Sequence, residues 1–144
     1  MADIYLITCV KKKRQEDSPA SELYTSSLFR KLKALAEKKS DAWFILSARY
    51  GLVKPSQVIA PYELTLSTMP KRERAEWAEK LMRQLEEEIS PGDKVTILAG
   101  RRYWEGLVPV LEASGYEVST PLKGISLFYW HPWLDRELAD DSGE

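Results

Sequence analysis

The chain has 144 residues, a formal net charge of -1, a single cysteine at Cys9 and a single histidine at His131. One domain of this length buries roughly two-thirds of its unfolded surface without disulfides or a structural metal, and a lone cysteine with a lone histidine builds neither a disulfide framework nor a Cys/His zinc cluster within one chain. Near neutrality also removes any global attraction to DNA or RNA, so such attraction has to come from uneven placement of charge.

Ile4 to Val10 is apolar and rich in β-branched residues, the pattern of a central strand buried on both faces. Lys11-Lys12-Lys13-Arg14 and the polar run to Pro19 then form a loop. Charge that follows a short apolar stretch reverses the order of a secretory leader, and no apolar run is long enough to span a bilayer. A cytoplasmic protein with no membrane partner is expected. From Ser21 to about Lys39, Leu23, Tyr24, Leu28, Leu32, Leu35 and Ala36 recur at helical spacing, with Ser21 or Ser18 as the cap.

Ala42 to Ala48 is the second strand, and it delivers Arg49, Tyr50 and Gly51 into a loop. Gln57 to Leu66 carries Pro61 and no clean period, so it reads as irregular or as a short edge strand. Thr68 caps a long helix that runs through Pro70 to about Ile89, with Ala75, Ala78, Leu81, Met82 and Leu85 as its buried stripe. Its other side is densely charged, which is the ordinary pattern of a solvated face.

Ser90-Pro91-Gly92-Asp93 breaks that helix, and Lys94 to Gly100 is a third strand ending in glycine. Arg101 to Ser114 is the next helix, with Pro109 reducing its first half to a loop or separate turn. Tyr116 to Pro121 makes a fourth, more peripheral strand. Phe128, Tyr129, Trp130 and Trp133 make the segment from Lys123 to Leu138 too apolar for a free tail, so it packs back, leaving residues 139–144 frayed.

Strands alternating with helices imply parallel pairing, hence an α/β fold over residues 1–138: a small three-layer Rossmann-like domain whose mainly parallel sheet of about four to five strands is flanked by helices. In such sheets ligands bind outside the carboxyl ends of the strands. Three basic loops leave that edge, carrying Lys11 and Lys13, then Arg49, then Gly100 and Arg101, and Lys123 follows the fourth strand in the same way. Cations gathered this way repel one another unless an anion or a carboxylate lies between them, so a phosphate-bearing ligand is the expected occupant. Taken singly, Lys12, Arg14 and Arg102 are readable as loop-solubilising charges.

Tyr24, Tyr50, Tyr62 and Tyr103 fall near those loops, where each is readable as a stacking surface for a base or as a core tyrosine. Ser26 and Ser47 are short donors for a phosphate or base edge, although Ser26 can instead bond within its own helix. No Walker loop and no Gly-x-Gly-x-x-Gly is present, which argues against ATP hydrolysis and nicotinamide chemistry. His131 lies between Trp130 and Pro132, away from any serine at a strand-to-helix turn, so no Ser-His-Asp triad is expected. Cys9 ends the first strand, where nearby lysines would lower its pKa if it is exposed, or it is a buried, inert thiol. Glu63 is the carboxylate best placed for acid or base work, and is otherwise a surface residue of an edge strand. Asp17, Glu22 and Asp135 are weaker candidates.

Thr8-Cys9-Val10-Lys11-Lys12-Lys13, Glu22 to Phe29, Ile45 to Val53, Ile59 to Thr65 and Leu98 to Tyr103 together resemble an uncharacterised bacterial and phage domain family. That family is distantly similar to the peroxide-stress YaaA-like proteins and to the catalytic core of archaeosine synthase. The resemblance covers about residues 4 to 134. The tail departs from the family pattern, with the bulkier Gly124 to Trp130 where a glycine-rich stretch would stand. The resemblance implies contact with nucleic acid or nucleotides, at modified bases. A DNA glycosylase reconciles this with the cationic edge: the backbone rests on Lys11, Lys13, Arg49 and Arg101, a flipped base enters a pocket of Tyr24, Ser47, Tyr50 and Tyr62, and Glu63 assists cleavage of the N-glycosidic bond with no metal or cofactor. The alternatives are a nucleic-acid or nucleotide binding module in stress response or phage defence, a nucleotide hydrolase, and a base-modifying transferase.

Overall fold

A computed structural model describes residues 1–8, 15–62 and 64–140. Strands β1 (Asp3–Thr8), β3 (Ala42–Ser47), β4 (Gly51–Val53), β6 (Lys94–Leu98) and β7 (Glu117–Ser119) form one sheet in the order β4-β3-β1-β6-β7. All neighbours are parallel except β3 and β4, which are antiparallel. The expected α/β class with a mainly parallel sheet is therefore present.

The period-two alternation of side chains sorts the strands onto two cores. Ile4, Leu6, Phe44, Leu46, Val95 and Ile97 face helices α3 (Lys71–Glu86) and α4 (Arg101–Ala113). Ile7, Ile45 and Leu98 face the opposite way, toward α2 (Ser27–Lys39) and α5 (Trp130–Ala139). Both faces of the central strands are thus covered, and each fully buried leucine such as Leu6 or Leu81 contributes about 1.5–3 kcal/mol by leaving water.

Several local readings change. The first helical span is split: α1 (Ala20–Leu23) ends at an extended Tyr24, and α2 restarts behind Ser26, whose hydroxyl accepts the Phe29 N–H at 3.1 Å. Ser26 is therefore the cap, not Ser18 or Ser21. In α3 the cap position falls to Pro70, Thr68 sits in a preceding 3-10 turn (Leu66–Thr68), Ala75 is exposed, and Trp77 joins the buried stripe. Helix α4 is continuous through Pro109, which is exposed, because buried Leu107 and Leu111 hold the turns on either side.

The segment after β4 is pinned by a two-residue ladder between β2 (Ser18–Pro19) and β5 (Val58–Ile59). Backbone bonds from Ala20 N–H to Gln57 O and from Ser21 N–H to Pro55 O extend it. The aromatic tail packs back only in part: Trp130 and Leu134 are buried, whereas Phe128 and Tyr129, expected to pack with them, stay exposed. Helix α5 lies on α2, joined by a Lys31–Asp135 ion pair at 2.9 Å and by Lys38 Nζ donating to the carbonyls of Leu138 and Asp140.

Candidate functional site at the carboxyl edge of the sheet

The chain runs from β1 to β3 on one side of β1 and later inserts β6 on its other side. The helices that follow β1 and β6 consequently leave toward opposite faces, and the strand order reverses between these two strands. Open α/β sheets hold ligands outside the carboxyl ends at such a reversal. Thr8 and Leu98 are the last residues of the two strands. Cys9, Lys11 and Lys13, which follow Thr8, and Glu63 lie outside the described residues.

Beside this reversal lies an open cleft of about 940 Å³. Its walls come from the start of α4, with Gly100, Arg101 and Trp104, and from the segment after β7, with Lys123, Leu127 and Trp130. Gly100 occupies the cap position of α4 without a capping side chain, and a Cβ there would meet nothing within 4 Å among the described residues. That end of the helix carries the positive pole of its dipole. Lys123 Nζ stands 5.2 Å from the centre of the Trp104 ring, and the Trp130 indole N–H donates to Ile125 O at 3.0 Å, fixing the far wall. Arg101 reaches its own helix's Glu105 at 3.7 Å with both side chains well exposed, a contact weak enough to exchange for another anion.

The second strand's loop is a tight β3–β4 turn. Arg49 is exposed and lies with its guanidinium 5.7 Å from the centre of the Tyr50 ring. These two side chains line a separate recess of about 380 Å³ with Ala60, Pro61, Tyr62 and Leu64. Arg49 and Arg101 thus occupy the same sheet edge, but β1 lies between their strands, a separation of roughly 10 Å between strand axes.

The expected base pocket has a different character. Ser47 is fully buried, its hydroxyl accepts the Tyr50 N–H at 3.0 Å, and its carbonyl accepts the Trp77 indole N–H at 2.9 Å. Its polar atoms hold the turn. Tyr24 and Tyr62 are also buried, with their hydroxyls 2.7 Å apart and their rings in edge contact. Tyr50 packs its ring on Tyr62 and donates to Ala60 O at 3.3 Å. Tyr103 stacks edge-on against Trp77 at 5.6 Å, between α3 and α4. The tyrosines brought together are therefore Tyr24, Tyr50 and Tyr62, as a structural cluster in which Tyr50 is the accessible member.

Trp104 and Trp130 are not among the candidate site residues that the sequence points to, Trp130 being read there only as part of the apolar tail. The available signal was position: Trp104 is in the first turn of a helix that opens directly at a strand's carboxyl end. The bulky segment after β7 supplies the other wall.

Among the described residues no helix is long and apolar enough to cross a membrane, and no three His, Cys, Asp or Glu side chains gather as a metal site.

A UPF0246 protein of Cellvibrio japonicus is 37% identical over 84 residues, covering 54% of this chain and 32% of the relative, in line with the expected YaaA-like likeness. This chain therefore spans about a third of that relative's length. The uncharacterized protein YfjM of Bacillus subtilis is 29% identical over 136 residues, covering 87% of this chain and 89% of its own. A family of unknown function, DUF6884, matches residues 4–136, and the chain belongs to it.

Proposed function

We propose that this protein binds DNA through its phosphates at the carboxyl edge and acts there on a modified base as an N-glycosidic bond hydrolase. The observation that supports the reading is the cleft itself: it adjoins the reversal of strand order, and it combines two cationic side chains, Arg101 and Lys123, and one carboxylate, Glu105, with an aromatic face on Trp104. Phosphate contacts position a nucleic acid, whereas an aromatic face takes a base of any sequence. The recess beside Arg49 and Tyr50 extends the same edge. In this reading the backbone crosses Arg49 and Arg101, joined by Lys11 and Lys13, and the extruded base stacks on Trp104. The buried Tyr24, Ser47 and Tyr62 shape the neighbouring turn from behind.

Catalysis requires a group that stabilises an oxocarbenium-like centre or activates water. Glu63, directly after Tyr62 in the chain, is the residue assigned to that task, and no cofactor is invoked. The sequence motifs' resemblance to YaaA-like proteins and, at greater distance, to the archaeosine synthase core is what suggests a base within DNA or another polynucleotide as the substrate.

The test is base release from duplexes carrying oxidised or hypermodified pyrimidines. Release that disappears in Glu63→Gln while DNA binding persists is the expected result. Tight binding with no released base across the panel would overturn the hydrolase in favour of a binding module. Turnover of free nucleotides in preference to duplexes would instead make the protein a nucleotide hydrolase.

A further inference from the structure

At the edge of the cleft, where Leu127 lines it, three consecutive large apolar side chains stand out into water. Leu127, Phe128 and Tyr129 are 63%, 82% and 60% exposed, and they sit in consecutive positions of one 3-10 turn (Leu127–Tyr129). Three large apolar residues in a row facing water carry a hydrophobic penalty that a fold does not need. The turn is nonetheless firmly built. Ser126 caps it, with its hydroxyl accepting the Phe128 N–H at 3.3 Å and its carbonyl accepting the Tyr129 N–H at 2.8 Å. Phe128 and Tyr129 brace each other edge-on at 5.4 Å, and the next residue, Trp130, is buried and tied to Ile125. The result is an aromatic prong on a fixed base, not a loose loop.

We propose that this turn is a wedge that enters a base stack in duplex DNA beside the nucleotide held in the cleft; the inference rests on the DNA reading above and specifies how that site opens its substrate. Two features select the occupant. Leu127 lines the cleft, so the apolar prong is continuous with a recess that carries Lys123 on the same wall and Arg101, beside Glu105, on the facing one, a combination suited to a strand with stacked bases and a charged backbone. The prong is also only three side chains long. A stable protein interface needs roughly 800 Å² from each partner, which such a tip does not supply. Proteins that extrude a base commonly fill or pry the stack with an apolar side chain, and the unstacking makes the target accessible to a pocket.

The experiment uses the full chain and a short duplex carrying the fluorescent base analogue aminopurine next to a mismatch. Binding is read by anisotropy of an end label, and unstacking by the rise in aminopurine emission. The wild-type protein is expected to bind and to raise the emission severalfold. The Phe128→Ala, Tyr129→Ala double variant is expected to lose that rise and to bind roughly tenfold more weakly, whereas Phe128→Trp retains both. Both replaced side chains lie in solvent, and an unchanged thermal melt verifies the fold of each variant.

Binding by the wild type with no change in emission, or a full rise in the double variant, overturns the wedge and leaves the DNA reading intact. Absence of wild-type binding overturns both. A concentration-dependent dimer that the double variant abolishes, seen by sedimentation, assigns the turn to self-association and overturns the wedge.

Discussion

Gln84, in the last turn of α3, holds the turn around Gly51 from both sides. Its Oε1 accepts the Leu52 N–H at 2.9 Å and its Nε2 donates to the Tyr50 carbonyl at 3.2 Å. Gly51 has a φ of 79°, and a Cβ added there would fall onto the Gln84 amide. The turn that presents Arg49 and Tyr50 is thus set by a glycine and by a residue 33 positions later in the chain.

Gly51→Ala is therefore expected to destabilise the protein by about 2–4 kcal/mol, combining a left-handed backbone with displacement of two hydrogen bonds. Gln84→Ala alone loses about 1–3 kcal/mol. In the Gln84→Ala background, Gly51→Ala falls to about 1–2 kcal/mol, since only the backbone term remains. Urea denaturation of the four proteins checks this; strictly additive losses would show that the two residues do not share the turn.

Helices α3 and α4 approach closely at Gly106. A Cβ there would stand 3.4 Å from the Ala78 Cβ and 3.9 Å from the Arg74 carbonyl oxygen. Space for one methyl group exists, and no more. Gly106→Ala is expected to stabilise by up to about 1 kcal/mol through helix propensity, and Gly106→Leu to destabilise by about 1–3 kcal/mol through overpacking. Chemical denaturation gives both signs, and a loss in the alanine variant would mean that the helices cannot yield even a few tenths of an ångström.

Asp93 ties the amino end of the sheet. Its carboxylate accepts the Ala2 N–H at 3.0 Å and the Ser90 N–H at 2.9 Å, and these bonds, Ala2 first, hold its pKa below the ordinary aspartate value. A carboxyl lowered in the folded state stabilises fully above its unfolded pKa of about 3.9 and loses that contribution as pH falls through the lower folded value. The stability gap between wild type and Asp93→Asn should accordingly be constant from neutral pH to about pH 5 and close on further acidification. Thermal melts across that range measure it. A gap that widens in acid would reverse the assigned direction.

Much of the fold is readable from residues whose burial follows a simple period. Ile4, Leu6 and Ile7 in β1, and Phe44, Ile45 and Leu46 in β3, are apolar on both faces because helices cover both, so length and β-branching identify them as central strands. What escapes is structure set by distant partners. Gly51-Leu52-Val53 is too short to announce a strand, and it becomes one only because β3 pairs with it and Gln84 holds its turn. Helical spacing ran unbroken from Ser21, which concealed the extended Tyr24 and the real cap at Ser26.

The site shows the same division. Arg49, Gly100 and Arg101 follow strands whose carboxyl ends share an edge, a relationship that topology alone predicts. The pairing of Trp104 with Lys123 is different: these residues are 19 positions apart, and they meet only after β7 has crossed to the sheet's edge. Ser47 looked available because it ends an apolar run. In the fold it is sealed beneath the turn, with hydroxyl and carbonyl both committed.

Salt dependence of DNA binding probes the cationic cleft most directly. Affinity for a short duplex is measured against salt concentration for the wild type, Arg101→Gln, Lys123→Gln and the double variant. Binding by the wild type is expected, with the logarithmic salt slope shallower by about one for each charge removed and affinity lowered in step. Identical affinity and slope in all four proteins, or no wild-type binding at low salt, would contradict a phosphate-holding edge.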